Sequence, residues 1–312
     1  MNTLVLPGLD GTNPLGFLAA MGALRVLSEQ SGEAPRLTWR QDGTWIPQLC
    51  SLLNREELLD FLEADATICW PHDATLDLRY PKHKDKPERL AWDLKPPPPR
   101  FRAYLQQLLD EDSAKGRRAA QYAAAFAAEG VVDNNGATKP FPLHFTAGQQ
   151  EFLHMAATLA GYDGKGVTRE DLAEALFGPW TYSRPMPVLG WDSTVTRDYA
   201  LRASNPSTDK KLGVPGADWL AFRGLAVLRS FAVGTRLVTT GCYGGWKNGG
   251  FRWPLWTRDC TIRTAEVLMN LPGLPDMRAR ERVARGIGCV LQSRIHRSDQ
   301  GGYGNFAPSE VL

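Results

Sequence analysis

The chain has too few cysteines, placed too far apart, to be held together by them. Cys50, Cys69, Cys242, Cys260 and Cys289 are an odd set among 312 residues, with no close pair. They draw neither a disulfide framework nor a CxxC zinc knuckle, and they read as small apolar residues of a reducing compartment. No run of eighteen apolar residues occurs, so no segment reads as membrane-spanning. The first ten residues lack the basic start and long apolar stretch of a secretory leader. The expectation is a cytoplasmic protein without a membrane partner. Metal and nucleophile motifs are missing too. His72, His83, His144, His154 and His296 form no HxxxH, HExxH or HD pair. There is no GxSxG elbow and no GxxxxGK[ST] phosphate loop. No cofactor and no catalytic residue is expected.

Charge of one sign is also missing. Thirty-six Lys+Arg stand against 34 Asp+Glu, a net charge of +2, which excludes a protein basic all over and leaves room for local basic patches. With 43% hydrophobic and 22% charged residues, the chain is neither disordered nor a coiled coil. Its length allows one large domain or two smaller ones. The expected division is an α+β body over 1–235, with long basic loops, and a hairpin plus C-terminal helices over 236–312.

The start reads as β-α-β-β. A β-prone run at 3–6 is followed by a turn-rich stretch, and Asn13-Pro14 supplies an N-cap and a first-turn proline. Small residues at Gly16, Ala19, Ala20, Gly22 and Ala23 mark a helix packed very close to another backbone. Runs 37–40 and 45–49 flank Asp42-Gly43 as a hairpin. Helices dominate the middle. Capping boxes stand at Asn54/Glu57 and Thr168/Asp171, a further start at Thr146/Gln149 runs to Gly161, and an alanine-rich helix spans 119–128. Residues 70–102, with the tetraproline 96–99, and 179–215 read as loops. A helix is expected over 219–231 and a strand over 236–240. A glycine-rich β-hairpin follows near 236–256, then a short helix at 261–269. A long helix begins at Asp276 and buries Val283, Ile287, Val290, Leu291 and Ile295. The fold class is therefore α+β, helix-rich, with a helical C-terminal end.

Three basic patches carry the functional reading. The first, 241–253, holds five glycines, four aromatics and two basic residues in thirteen positions. Lys247, Asn248 and Arg252 can meet phosphates or a base edge, and Tyr243, Trp246 and Trp253 offer stacking faces. The same pattern also fits a hairpin that packs its aromatics inward, or a small-molecule site. The second patch spans residues 79–118, where 11 Lys+Arg face 6 Asp+Glu. Lys82, Lys84, Lys86, Arg100 and Arg102 are its candidate phosphate contacts. The third is an arginine stripe, Arg278, Arg282 and Arg285, on the last helix.

The segment Leu6-Pro7-Gly8-Leu9-Asp10-Gly11-Thr12-Asn13-Pro14-Leu15-Gly16-Phe17 through Arg25 carries a resemblance, as do Gly190-Trp191-Asp192, Arg197-Asp198-Tyr199-Ala200-Leu201-Arg202 and Pro215-Gly216-Ala217-Asp218-Trp219-Leu220-Ala221. The chain resembles the large subunit of the type I-G (formerly I-U) CRISPR Cascade effector, a partner of the helicase-nuclease, although it is small for one. The resemblance implies a non-catalytic subunit that sits against crRNA-bound backbone subunits. It would read the PAM duplex, bind double-stranded and displaced single-stranded DNA during R-loop formation, and recruit the helicase-nuclease. The resemblance assigns no PAM-reading residue. Two other classes fit the residues. One is a metal-dependent nuclease or phosphohydrolase using Asp10, Asp192 and Asp198. The other is a protein–protein adaptor anchored by tryptophans.

Overall fold

Asn13 does what its place before Pro14 dictates. Its side-chain oxygen accepts the Leu15 N–H at 3.1 Å and opens α1 (Pro14–Gln30). Before it runs β1 (Asn2–Val5), and after it β2 (Arg36–Asp42) turns at Gly43, φ +71°, into β3 (Thr44–Ser51). Both β1 and β2 pair antiparallel with β3, so the β-α-β-β start is present as a sheet of order β1-β3-β2. The computed structural model describes residues 2–30, 32, 34–83, 86–146, 149–195, 212–297 and 303–312.

Helices α2 (Arg55–Ala64) and α6 (Arg169–Phe177) begin at the two capping boxes. Between them the loop expected over 70–102 is structured. It contains two short 3-10 turns and the hairpin β4 (Tyr80–His83)–β5 (Lys86–Ala91). It also holds the start of α3 (Pro98–Asp110). Pro98 and Pro99 are no spacer: in a first turn the missing N–H leaves no bond unmade, and the fixed φ suits a helix. Helix α4 (Ala114–Phe126) stops four residues before Gly130, because 127–132 pairs as β6 (Ala127–Val132) with β7 (Thr138–Pro140). Helix α5 (Phe152–Leu159) starts later than Thr146, whose hydroxyl lies 2.9 Å from His144 Nε2.

The apolar run at 219–231 is divided. Helix α7 (Pro215–Gly224) and a 3-10 turn lead into β8 (Ser230–Val233), which pairs with β9 (Arg236–Thr239). All ten residues of α7 are buried. It crosses α1 so closely that a Cβ on Gly22 would lie 1.7 Å from Leu220 O. This is the close approach that the small residues of α1 require. One hydrophobic cluster extends in sequence from Leu6 to Phe306. Within it Phe17 packs against Trp39, Trp253 and Trp256, and Trp70 packs edge-on to Tyr122, Trp219 and Phe222. The fully buried Arg223 holds Asp65 through two bonds, 2.9 and 3.1 Å, and Glu29 through a third at 2.9 Å, with its guanidinium 4.3 Å from the Trp70 ring. A buried charge needs this degree of pairing.

The C-terminal region departs most from expectation. Strand β10 (Cys242–Tyr243), not β9, forms the glycine-rich hairpin with β11 (Gly250–Trp256). The short helix expected over 261–269 is α8 (Ile262–Met269), with Thr261 as its cap. The long last helix does not exist. Only α9 (Ala279–Ala284) is helical, and Ile287–Arg297 is the strand β12, which pairs with β11, β13 (Gly304–Phe306) and β14 (Glu310–Val311). The chain end is therefore a sheet, with Val283 exposed rather than buried. The fold is mixed α+β. Among the described residues no helix is long and apolar enough to cross a membrane.

Candidate nucleic-acid interface

Register decides which side chains share a face of this sheet, because directly opposed residues of antiparallel neighbours point the same way. Tyr243, Gly250 and Arg294 are opposed across β10, β11 and β12. Arg252, Gln292 and Glu310 form the next row, and His296 faces Asn305. Between these positions Phe251, Trp253, Leu291, Ser293 and Ile295 are buried. Alternation thus sends the apolar set inward and leaves Tyr243, Arg252, Gln292, Arg294 and His296 on the outer face.

That face is organised by contacts within it. The Tyr243 ring occupies the space that a Gly250 side chain would need: a Cβ there would lie 2.3 Å from its hydroxyl. The Arg252 guanidinium stands 3.9 Å from the Tyr243 ring centroid and donates to Gln292 Oε1 at 3.0 Å. Gln292 passes the row on to Glu310 at 2.6 Å. Burial pushes the Tyr243 phenol up, with Arg252 and Arg294 pulling the other way, and it stays a neutral donor.

The glycine-rich loop closes one end of the face. Gly244, φ +70°, lies so near the far side of the turn that a Cβ would meet Asn248 O at 2.2 Å. The Ile295 N–H donates to Gly249 O at 2.9 Å, tying the loop to β12. The turn places Trp246, 61% exposed, with Lys247 and Asn248 in solvent. Arg297 stacks on Trp246 at 4.0 Å while donating to Pro142 O at 2.6 Å. Burial lowers its guanidinium to about 10, still charged at neutral pH. Cys242 beneath the loop has its thiol pushed up by burial, which disfavours the thiolate.

The other sequence candidates fare differently. Trp253 offers no stacking face: its ring is fully buried and its Nε1 donates to Gly11 O at 2.8 Å. Of the second patch, Lys82 pairs with Glu151 at 2.9 Å, Arg102 pairs with Glu129, and Arg100 donates to Arg79 O at 2.9 Å. Lys86 is exposed, and Lys84 lies outside the described residues. The third patch is no helix-long stripe, since Arg278 precedes α9 and Arg285 follows it. Arg282 is a clamp, donating to Met277 O at 2.8 Å and to the carbonyl of Leu312.

Asp10 accepts from Thr12 N–H at 2.8 Å and from the Thr44 hydroxyl. Asp192 accepts from Asn13 Nδ2 and the Tyr182 hydroxyl, both at 2.8 Å, and from Thr194. These carboxylates fasten loops together, and Asp198 lies outside the described residues. Among the described residues no three His, Cys, Asp or Glu stand where they could hold a metal ion. Eight of the ten tryptophans are buried, which takes most of the supposed adaptor anchors off the surface.

The residues that sequence reasoning misses are Arg294, His296 and Arg297, which fall where a helix is expected. The signal that could have found them is the alternation Gln292-Ser293-Arg294-Ile295-His296 behind the helix-breaking Gly286 and Gly288. Comparison of the chain with family models and with curated proteins finds no match.

Proposed function

We propose that this chain binds nucleic acid through the outer face of its C-terminal sheet, as a non-catalytic large subunit of a type I-G CRISPR crRNA-guided surveillance complex. The carrying observation is that Arg252 and Arg294 share the outer sheet face with Tyr243, beside a loop that exposes Lys247 and Trp246. A strand surface with cations for phosphates, beside the exposed Trp246 ring for a base, matches the requirements of a single strand. Exposed Lys247 and Asn248 at the loop tip suit the groove edge of a duplex. In the complex, the face would hold the displaced strand while the loop contacts the PAM duplex, beside crRNA-bound backbone subunits and the helicase-nuclease. The assignment to that complex rests on the sequence resemblance.

Labelled duplex and single-stranded DNA titrated against the purified chain, alone and with guide-loaded backbone subunits, test the proposal. Binding that tightens in the complex and weakens with Lys247→Ala plus Arg294→Ala supports it. DNA binding by the complex that is indifferent to both substitutions removes the interface.

A further inference from the structure

The two ends of the basic stretch 79–118 meet around a cavity of about 480 Å³. Arg79 contributes from one end, Lys115 and Arg118 from the other. None of the three belongs to the sheet face, so the cavity is a separate site from the proposed DNA interface.

The walls combine charge with aromatic surface. The Arg79 guanidinium lies 4.1 Å from the Trp92 ring and 5.7 Å from Tyr162. Tyr162 stands edge-on to Trp92 at 4.8 Å and is 43% exposed, so it retains a free ring surface. Arg118 is held by the buried Asp73, whose other oxygen caps the Thr75 N–H at 2.8 Å. Its Nε, buried, has no hydrogen-bond partner among the described residues. Lys115 is exposed in the first turn of α4. Asp77 and Glu111 also line the cavity.

This lining selects a ligand chemistry. A dicarboxylate or bare polyanion would meet Asp77 and Glu111, and an apolar ligand would leave Arg79 and Lys115 without an anionic partner. A nucleoside 5′-phosphate answers each wall. Its phosphoryl oxygens suit Lys115 and Arg79. Its sugar hydroxyls or exocyclic amine suit the carboxylates as acceptors, and its base suits Tyr162. The volume falls in the range of small-molecule sites. We propose that this cavity binds a nucleoside 5′-phosphate, free or as the end of a strand.

Calorimetric titration of the full chain with AMP, UMP, inorganic phosphate and a 5′-phosphorylated tetranucleotide tests this. Saturable binding of the mononucleotides is expected, tighter than that of inorganic phosphate. Lys115→Glu is expected to weaken it about tenfold, as for loss of a charged phosphate contact. Tyr162→Ala is expected to weaken it about fivefold or more, and Arg294→Glu to leave it unchanged. Near-ultraviolet circular dichroism confirms that each variant is folded. If the tetranucleotide binds as well as AMP and Lys115→Glu weakens both, the occupant is a strand end; if Lys115→Glu weakens only the mononucleotides, it is a free nucleotide. The proposal is overturned by an absence of saturable binding at millimolar nucleotide. Inorganic phosphate binding as tightly as AMP, or Arg294→Glu costing as much as Lys115→Glu, overturns it too.

Discussion

The Arg252 guanidinium lies 3.9 Å above the Tyr243 ring, and the ring in turn lies over Gly250, where any side chain would collide with it. This pair fixes the middle of the outer sheet face. Tyr243→Ala is expected to release Arg252 and lower nucleic-acid affinity about tenfold, while the sheet persists by far-ultraviolet circular dichroism. Binding by fluorescence anisotropy checks it. Unchanged affinity would show that the stacked geometry contributes nothing.

The α1–α7 crossing predicts a sharp contrast between two glycines. A Cβ on Gly22 would lie 1.7 Å from the Leu220 carbonyl and 3.0 Å from Gly224 N, both backbone, so neither can swing away. Gly22→Ala is expected to cost about 3 kcal/mol. Gly245 has nothing within 4 Å of its Cβ position, and Gly245→Ala is expected to stay within about 0.5 kcal/mol of the parent. Urea denaturation compares the two directly.

The buried Arg223–Asp65 pair is expected to be expensive to break from one side. Asp65→Asn leaves the guanidinium in a fully enclosed site with only Glu29 as a charged partner. The expected cost is about 3–5 kcal/mol, read as a lower midpoint in urea at unchanged m. A loss below about 1 kcal/mol would mean that the site admits water.

Asp93 gives a pH signature. Burial alone raises its pKa, yet the charge and hydrogen bond of His144, with the Phe152 and Leu94 N–H groups, outweigh it and hold the carboxyl at about 2, below its usual 3.8. His144 Nε2 lies 2.8 Å from Asp93 Oδ1. A depressed folded pKa gives stability that is full above the unfolded value and lost as pH falls through the folded one. The contribution, about 2 kcal/mol, should therefore persist above about pH 4 and disappear toward pH 2. Asp93→Asn should flatten that part of the stability–pH curve.

What was legible in the sequence was what local chemistry decides. Asn13-Pro14, the boxes at Asn54 and Thr168, and Asp42-Gly43 each settle their backbone without distant partners. The C-terminal strand was overlooked. Val283, Ile287, Val290, Leu291 and Ile295 satisfy a helical spacing that masks the alternation at 292–296, and the pairing of β12 with three other strands selects the extended form. A helix in that place hides half of the candidate face. Lys247, Asn248, Trp246, Tyr243 and Arg252 can be found from composition, but Arg294 and His296 join them only through register, and Arg297 only by stacking on Trp246. Trp253 sits in the same motif and faces the core, a distinction that strand alternation makes and composition does not.

The salt dependence of single-stranded DNA binding, compared between the wild type and the Lys247→Ala plus Arg294→Ala variant, tests the sheet-face assignment most directly. With three or four phosphates neutralised, log K should fall against log salt with a slope of about −2 to −3. The variant should lose about 1.4 of that slope, two contacts at about 0.7 each. Equal slopes for the two proteins, or no binding by the wild type even at low salt, would contradict it.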